Sequence, residues 1–140
     1  MNIFFIGSIR GGRADQPRYA SIVKKLEQYG SVYSEHVSDE TLSEYGETSL
    51  SASEILEREF DTLRKCDVVV AEVTTPSLGV GYLIACATSF EKKVIALYCG
   101  EDTLKLSAII KGDPSVEVYT YKDEKDMENI FKKAFAPKKE

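Results

Sequence analysis

Short apolar runs alternate along this chain with segments whose apolar residues recur at helical spacing. The runs contain almost no polar interruption, which is typical of strands that are buried on both faces of a sheet. They predict five strands, at residues 2–6, 31–34, 67–73, 93–99 and 116–121. Alternation of strands and helices predicts an α/β fold in which helices cover both faces of a five-stranded parallel sheet.

The helices between these strands carry their own start and stop signals. Asp15 is predicted to cap the first helix, with Pro17 in its first turn and Gly30 beyond its end. A second helix is predicted to begin at Ser51 or Ser53. Further helices are expected from the loop 74–79 to about residue 90, around 103–111 and over about 123–135, with a frayed tail at 136–140.

The chain has 140 residues, which predicts a single domain over residues 1–140. Its 18 basic and 23 acidic residues give a formal net charge of −5, which argues against a nucleic-acid polymer or an acidic membrane as partner. Three cysteines without C-x-x-C spacing argue against disulfides and a zinc site, and they fit a reducing compartment. No apolar stretch is long enough to span a membrane. A cytoplasmic location is therefore expected, or a nuclear one in a eukaryote.

Candidate chemistry is concentrated where the predicted strands end. In parallel sheets ligands bind beyond the carboxyl ends of the strands, so segments 7–15, 34–38, 72–79 and 99–107 should gather there. "GSIRGGR" (7–13) matches neither a Walker A loop nor G-x-G-x-x-G. Its glycines, Ser8 and Arg10 suit a phosphate, but a glycine-rich turn with solvated arginines would have the same composition.

A second loop, "PSLGVG" (76–81), lies at another strand end and at a helix start. Ser77 and the unpaired amide groups of the first helical turn favour an anion, whereas the simpler reading is a plain helix cap. His36, the only histidine, follows the second strand and is either a residue at the edge of the site or a structural one.

No pair of catalytic carboxylates stands out from the sequence. Most acidic residues of the second helix read as a solvated face, and Glu59 and Asp61 lie about 200° apart around a helix, so they cannot both point at one ligand. Glu72 ends the third strand and is placed to reach the crevice. Hydrolysis of a glycosidic bond usually uses two carboxyl groups.

Four motifs, taken in order and spacing, resemble one family. "FIGSIRGGR", "YGSVYSEHV", "DVVVAEVTTPSLGVGY" and "LSAIIKG" look like the 2′-deoxynucleoside 5′-phosphate N-hydrolases, which belong with the nucleoside 2-deoxyribosyltransferases. The similarity covers roughly residues 2 to 121. It implies a Rossmann-like (flavodoxin-like) domain, a homodimer, and hydrolysis of deoxynucleoside 5′-monophosphates to a free base and 2-deoxyribose 5-phosphate without metal or organic cofactor.

The resemblance also implies which residues surround the substrate. Ser8 and Arg10, with neighbouring loop amides, and Ser77 would hold the 5′-phosphate. Ser107 would complete the site of the partner subunit, and His36 would line the site. The full set of substrate-binding candidates is Phe4, Gly7, Ser8, Ile9, Arg10, Gly11, His36, Ser77, Gly79, Leu83 and Ser107.

The catalytic positions depart from the family. The family's nucleophilic glutamate falls on Leu83, its supporting aspartate on Glu59, and a tyrosine of the first strand on Phe4. Because leucine cannot attack an anomeric carbon, Glu59 and Glu72 are left as the candidate catalytic carboxylates. The sequence thus supports an N-glycosidase with a rearranged catalytic set, and alternatively a nucleotide-phosphate binder or sensor. A structural dimer with a vestigial pocket is the third reading.

Overall fold

A computed structural model describes residues 1–9, 15–34 and 48–137. Five strands and five helices alternate in them, with a short 3₁₀ turn at Thr103–Lys105 before the fourth helix. The strands are β1 (Asn2–Gly7), β2 (Ser31–Tyr33), β3 (Val68–Glu72), β4 (Lys93–Cys99) and β5 (Val116–Tyr121). The helices are α1 (Gln16–Leu26), α2 (Ala52–Lys65), α3 (Leu78–Ser89), α4 (Ala108–Gly112) and α5 (Glu124–Ala134).

All neighbouring strands pair in parallel, in the order β2-β1-β3-β4-β5. This is the flavodoxin-like order of a doubly wound sheet, whose crevice opens where the strand order reverses beside β1 and β3. The predicted fold class is therefore confirmed. The carboxyl ends of β1 and β3 come together because Gly7 lies opposite Glu72 in the register.

Two hydrophobic clusters cover the two faces of the sheet. One packs α1 and α5 against alternate strand residues such as Phe5 and Val70. The other packs α2 and α3 against the intervening positions, including Phe4 and Ala71. Since side chains of a strand alternate between faces, a residue's parity along its strand decides which cluster it joins.

Two local predictions were right only in part. Asp15 stands at the N-cap of α1, but its side chain makes no capping hydrogen bond, because Arg18 and Thr75 bind its carboxylate instead. The helix expected over 103–111 is divided into a 3₁₀ turn and α4 by an extended Leu106, whose side chain is buried. Ser107 then caps α4 as a new helix start.

No helix among the described residues is long and apolar enough to cross a membrane. Residues 35–47, between β2 and α2, and the last three residues of the tail lie outside the described ranges.

Candidate functional site

The first loop of the site begins at the carboxyl end of β1. Gly7 ends the strand against the ring of Tyr19, so close that a Cβ at this position would lie 2.9 Å from Tyr19 Cζ. Ser8 follows, only 1% exposed, and its Oγ has no hydrogen-bond partner among the described residues. Ile9 packs against the α1 and α5 cluster. Arg10, Gly11 and His36 lie outside the described ranges.

The second loop leads from β3 into α3. Ser77 caps this helix, and its hydroxyl accepts a hydrogen bond of 3.3 Å from the amide of Val80. Among the described residues, a Cβ added at Gly79 would meet Ser77 Oγ alone, at 3.9 Å, and one at Gly81 would meet nothing within 4 Å. The single chain therefore does not require glycine at either position, so this surface has room for another molecule to approach.

Ser77 and Ser107 line one cavity of about 570 Å³ between the start of α3 and α4. Its walls are mainly apolar, and Lys105 is the one cationic side chain among the described residues that line it. Two of the lining side chains, Leu78 (97%) and Ile109 (83%), are large, apolar and almost fully exposed, and so is Leu104 (89%), which precedes the lining residue Lys105 in the chain.

The positions to which the resemblance assigns catalytic roles lie on the α2 and α3 face. Phe4 is fully buried there, and Leu83 is partly buried against the same cluster. Glu59 lies on α2 beside Phe60, whose ring stacks on Tyr82 with centroids 6.2 Å apart. Arg58 donates to Glu59 Oε1 from two nitrogens, at 2.9 and 3.2 Å. The described structure thus brings Phe4, Leu83 and the Glu59 helix to one face.

Glu72 lies on the other face and is fully buried. Its Oε1 accepts a 2.7 Å hydrogen bond from the amide of Thr74, and its Oε2 accepts one of 2.8 Å from the hydroxyl of Tyr121. Arg18 Nε lies 2.9 Å from the same Oε2 without the alignment of a good hydrogen bond, so this contact is mainly ionic. Both oxygens are therefore occupied by structural partners, and the geometry favours Glu59 over Glu72 as the catalytic candidate.

The sequence did not predict which residues contact Glu72. Burial, and then the charge of Glu72, raise the pKa of Tyr121 far above its ordinary value. Burial lowers the pKa of Arg18, but the nearby anion Glu72 and weaker contributors outweigh it and raise the pKa overall. A signal was present: a lone carboxylate in the apolar run "VVVAEV" needs a buried cation or donors. The sequence alone does not tell which residues supply them.

Among the described residues no group of three or more histidine, cysteine or acidic side chains is placed to hold a metal ion. The functional groups that the described site presents to a ligand are the hydroxyls and amides of the loops after β1 and β3 and the Glu59 carboxylate on α2.

The family model described as nucleoside 2-deoxyribosyltransferase matches residues 3–130. A protein named 5-hydroxymethyl-dUMP N-hydrolase from Danio rerio is 46% identical over 138 residues, covering 96% of each chain. A protein of the same name from Mus musculus is 46% identical over 112 residues, covering 79% of this chain and 65% of its own. A solved structure of a CMP N-glycosidase from Clostridium botulinum superposes with a TM-score of 0.70 at 19% identity, covering 96% of this chain and 99% of its own.

Proposed function

Because the chain belongs to the nucleoside 2-deoxyribosyltransferase family, we propose that it hydrolyses the N-glycosidic bond of deoxynucleoside 5′-monophosphates. The products are a free base and 2-deoxyribose 5-phosphate. The names of the Danio rerio and Mus musculus relatives support this reaction and make 5-hydroxymethyl-dUMP the first substrate to test.

The observation that carries the proposal is the buried hydroxyl of Ser8. A buried polar group without a partner destabilises a protein by about 1–3 kcal/mol. Ser8 Oγ is such a group among the described residues, and it lies at the carboxyl end of β1, beside the switch point of the sheet. A phosphate oxygen would accept its hydrogen bond, and the Ser77 loop at the end of β3 offers a second hydroxyl. The substrate-binding set then comprises Phe4, Gly7, Ser8, Ile9, Arg10, Gly11, His36, Ser77, Gly79, Leu83 and Ser107.

The chemical step has to proceed without a carboxylate at Leu83. In the proposed step a water oxygen bonds to the anomeric carbon while the bond to the base nitrogen breaks, and the base leaves with the bonding electrons and takes up a proton. Glu59 accepts the proton of the water, and Arg58 orients its carboxylate. This route forms no covalent glycosyl-enzyme, so a base added during turnover is not exchanged into the substrate.

Chromatography of reactions with 5-hydroxymethyl-dUMP, dGMP and CMP tests the proposal. We expect free base from the deoxynucleotides, and a fall in kcat of about a hundredfold in Glu59→Gln, which is in the usual range for a lost general base. Glu57→Gln, an exposed position on the same helix, is the matched control. Wild-type protein at high concentration that releases no base above the buffer blank would overturn the hydrolase proposal.

One observation favours a second function, that of a nucleotide-phosphate binder or sensor. Leu83 packs partly buried into the α2 and α3 cluster, so its position offers no group for catalysis. Calorimetry distinguishes the two: heat of binding with dGMP and no base released identifies a binder, whereas release of base identifies the hydrolase.

The proposed active form is a homodimer in which Ser107 completes the partner's site. The exposed Leu78, Leu104 and Ile109 around the Ser77 cavity support a surface that another copy covers. In a mixture of Ser77→Ala and Ser107→Ala chains, each mixed dimer has one site with both serines if the serines act across the interface. Activity of the mixture above that of either variant supports sharing, and no recovery on mixing would contradict it.

A further inference from the structure

Glu72 belongs to a chain of polar contacts that runs from one candidate phosphate loop to the other. Its Oε2 pairs with Arg18 Nε at 2.9 Å, and a guanidinium nitrogen of Arg18 lies 2.5 Å from Asp15 Oδ1. The other oxygen of Asp15 accepts a hydrogen bond from the hydroxyl of Thr75. Asp15 closes the loop after β1, and Thr75 lies in the loop after β3.

The second loop is held from its other side as well. Thr74 donates its amide to Glu72 Oε1, at 2.7 Å, while its hydroxyl accepts a 2.8 Å hydrogen bond from the amide of Cys99 at the end of β4. Tyr121, at the end of β5, donates to Glu72 Oε2. The carboxylate therefore ties together three strand ends and the start of α1.

We propose that Glu72 is a positioning residue, which clamps the loop after β1 to the loop after β3 through Arg18, Asp15 and Thr75. The clamp sets the spacing between Ser8 and Ser77 and so prepares the site for a phosphate. This inference rests on the proposed function, because it assumes that the two loops share one phosphomonoester.

The side chain of Asp15 supports the clamp, because its contacts connect separate loops and do not cap its own helix. Aspartate at an N-cap normally accepts a hydrogen bond from an amide of its own helix. Here its carboxylate is turned to Arg18 and Thr75, and no such bond forms. The contact to Thr75 spans 60 positions of the chain, so it constrains tertiary structure and not the helix start.

Thr75→Val tests the clamp at its last link, because valine keeps the shape of threonine and removes only the hydroxyl. We expect the affinities for 2-deoxyribose 5-phosphate and inorganic phosphate, measured by calorimetry, to fall about tenfold, which corresponds to about 1.4 kcal/mol. Thr75→Ser keeps the hydroxyl and should bind within about twofold of wild type. Thr88→Val is the matched control, since among the described residues the Thr88 hydroxyl bonds to the carbonyl of Ala85 in its own helix.

With nucleotide substrate, the clamp predicts a rise in KM at nearly unchanged kcat, because it holds the two phosphate loops and not the candidate carboxylate on α2. A purely structural role would lower the melting temperature and leave both constants of the folded protein unchanged. Asp15→Asn combined with Thr75→Val should bind no more weakly than the weaker single variant, since both break the same link.

Amide hydrogen exchange of the ligand-free protein measures the clamp independently of binding. Faster exchange in Thr75→Val at both 74–79 and 15–18 is the expected result. Unchanged exchange, or wild-type affinity for both probes in this variant, would overturn the clamp. Wild-type protein that binds neither probe would overturn the proposed function instead, and the exchange data would still decide whether the two loops are coupled.

Discussion

At the edge of the sheet where the strands end, one face holds a buried carboxylate and the other face holds an apolar side chain. On the α1 and α5 face, Glu72 is buried with both oxygens occupied. On the α2 and α3 face, the position that the resemblance assigns to the nucleophile holds Leu83, which packs partly buried against an apolar cluster. Glu72 is close in sequence to the Ser77 loop, but its position along β3 turns its side chain to the α1 and α5 face. Its carboxylate is therefore not available for chemistry on the α2 and α3 face. The carboxylate that remains for chemistry comes from a helix.

The largest effect that separates the two faces should come from Glu72→Gln. Removing one member of a buried ion pair typically lowers the free energy of unfolding by about 3–5 kcal/mol. We expect about 3 kcal/mol here, because Arg18 is partly exposed and keeps Asp15 as a partner. Urea denaturation measures it. Glu117→Gln, an exposed glutamate on β5, should change stability by less than about 0.5 kcal/mol, and an equal loss in both variants would contradict the structural role of Glu72.

On the opposite face, Leu83→Glu should raise activity. It supplies a carboxylate at the position that the resemblance assigns to the nucleophile, and we expect kcat for deoxynucleotide hydrolysis to rise on the order of a hundredfold, or about 2.7 kcal/mol. Leu83→Gln matches the size and polarity without the nucleophile. If the glutamine variant gains as much as the glutamate variant, the carboxylate is not the cause. If neither gains, Phe4 and Glu59 are the next positions to change.

The smallest effect should come from Tyr121→Phe, which removes one donor from Glu72. A loss of about 1.5 kcal/mol at neutral pH is expected, at the low end for a hydrogen bond to a charged group, because Glu72 keeps Thr74 and Arg18 as partners. The same variant has a pH signature. Burial, then Glu72, raises the pKa of Tyr121 in the folded chain above its ordinary value of 10.0, so its stabilisation is complete below pH 10 and is lost as the pH rises further.

Denaturation at increasing alkaline pH checks this signature. Wild type should lose stability above pH 10 more steeply than Tyr121→Phe, whereas Tyr19, whose pKa is also raised by burial, keeps some of the slope in both. Identical slopes in the two proteins would show that Tyr121 is not held neutral by its surroundings.

The sequence predicted the strands well because β1, β3 and β4 follow apolar runs with few polar interruptions, while β2 and β5 are rich in valine and tyrosine. The bounds of 93–99 and 116–121 agree with β4 and β5. The face of the sheet on which Glu72 lies follows from the topology. Right-handed crossovers put α1 on one face, and they put α2 and α3 on the other face because the strand order reverses its direction after β2. Glu72 shares the parity of Val70, so it faces α1.

The identity of the partners of Glu72 was beyond reach from the sequence. Arg18, Tyr121 and Thr74 approach it from three elements, and their meeting depends on helix packing that no local pattern records. The same limit applies to the side chain of Asp15, which stands at the predicted N-cap. Its carboxylate makes a tertiary contact 60 positions away instead of the capping hydrogen bond that the local rule predicts. The predictions for Arg10, Gly11 and His36 lie outside the described ranges and stay predictions.

Gly81 shows how stability and binding are balanced at the start of α3. Among the described residues, nothing outside the helix's own nearby backbone lies within 4 Å of a Cβ placed there, and glycine inside a helix is less stable than alanine by about 0.5–1 kcal/mol. Alanine at this position would therefore make the isolated chain melt at a higher temperature. Glycine is kept at this position although alanine would stabilise the helix, and the position lies beside Leu78 and the Ser77 cavity. A substitution chosen here to raise the melting temperature would therefore narrow access to the pocket.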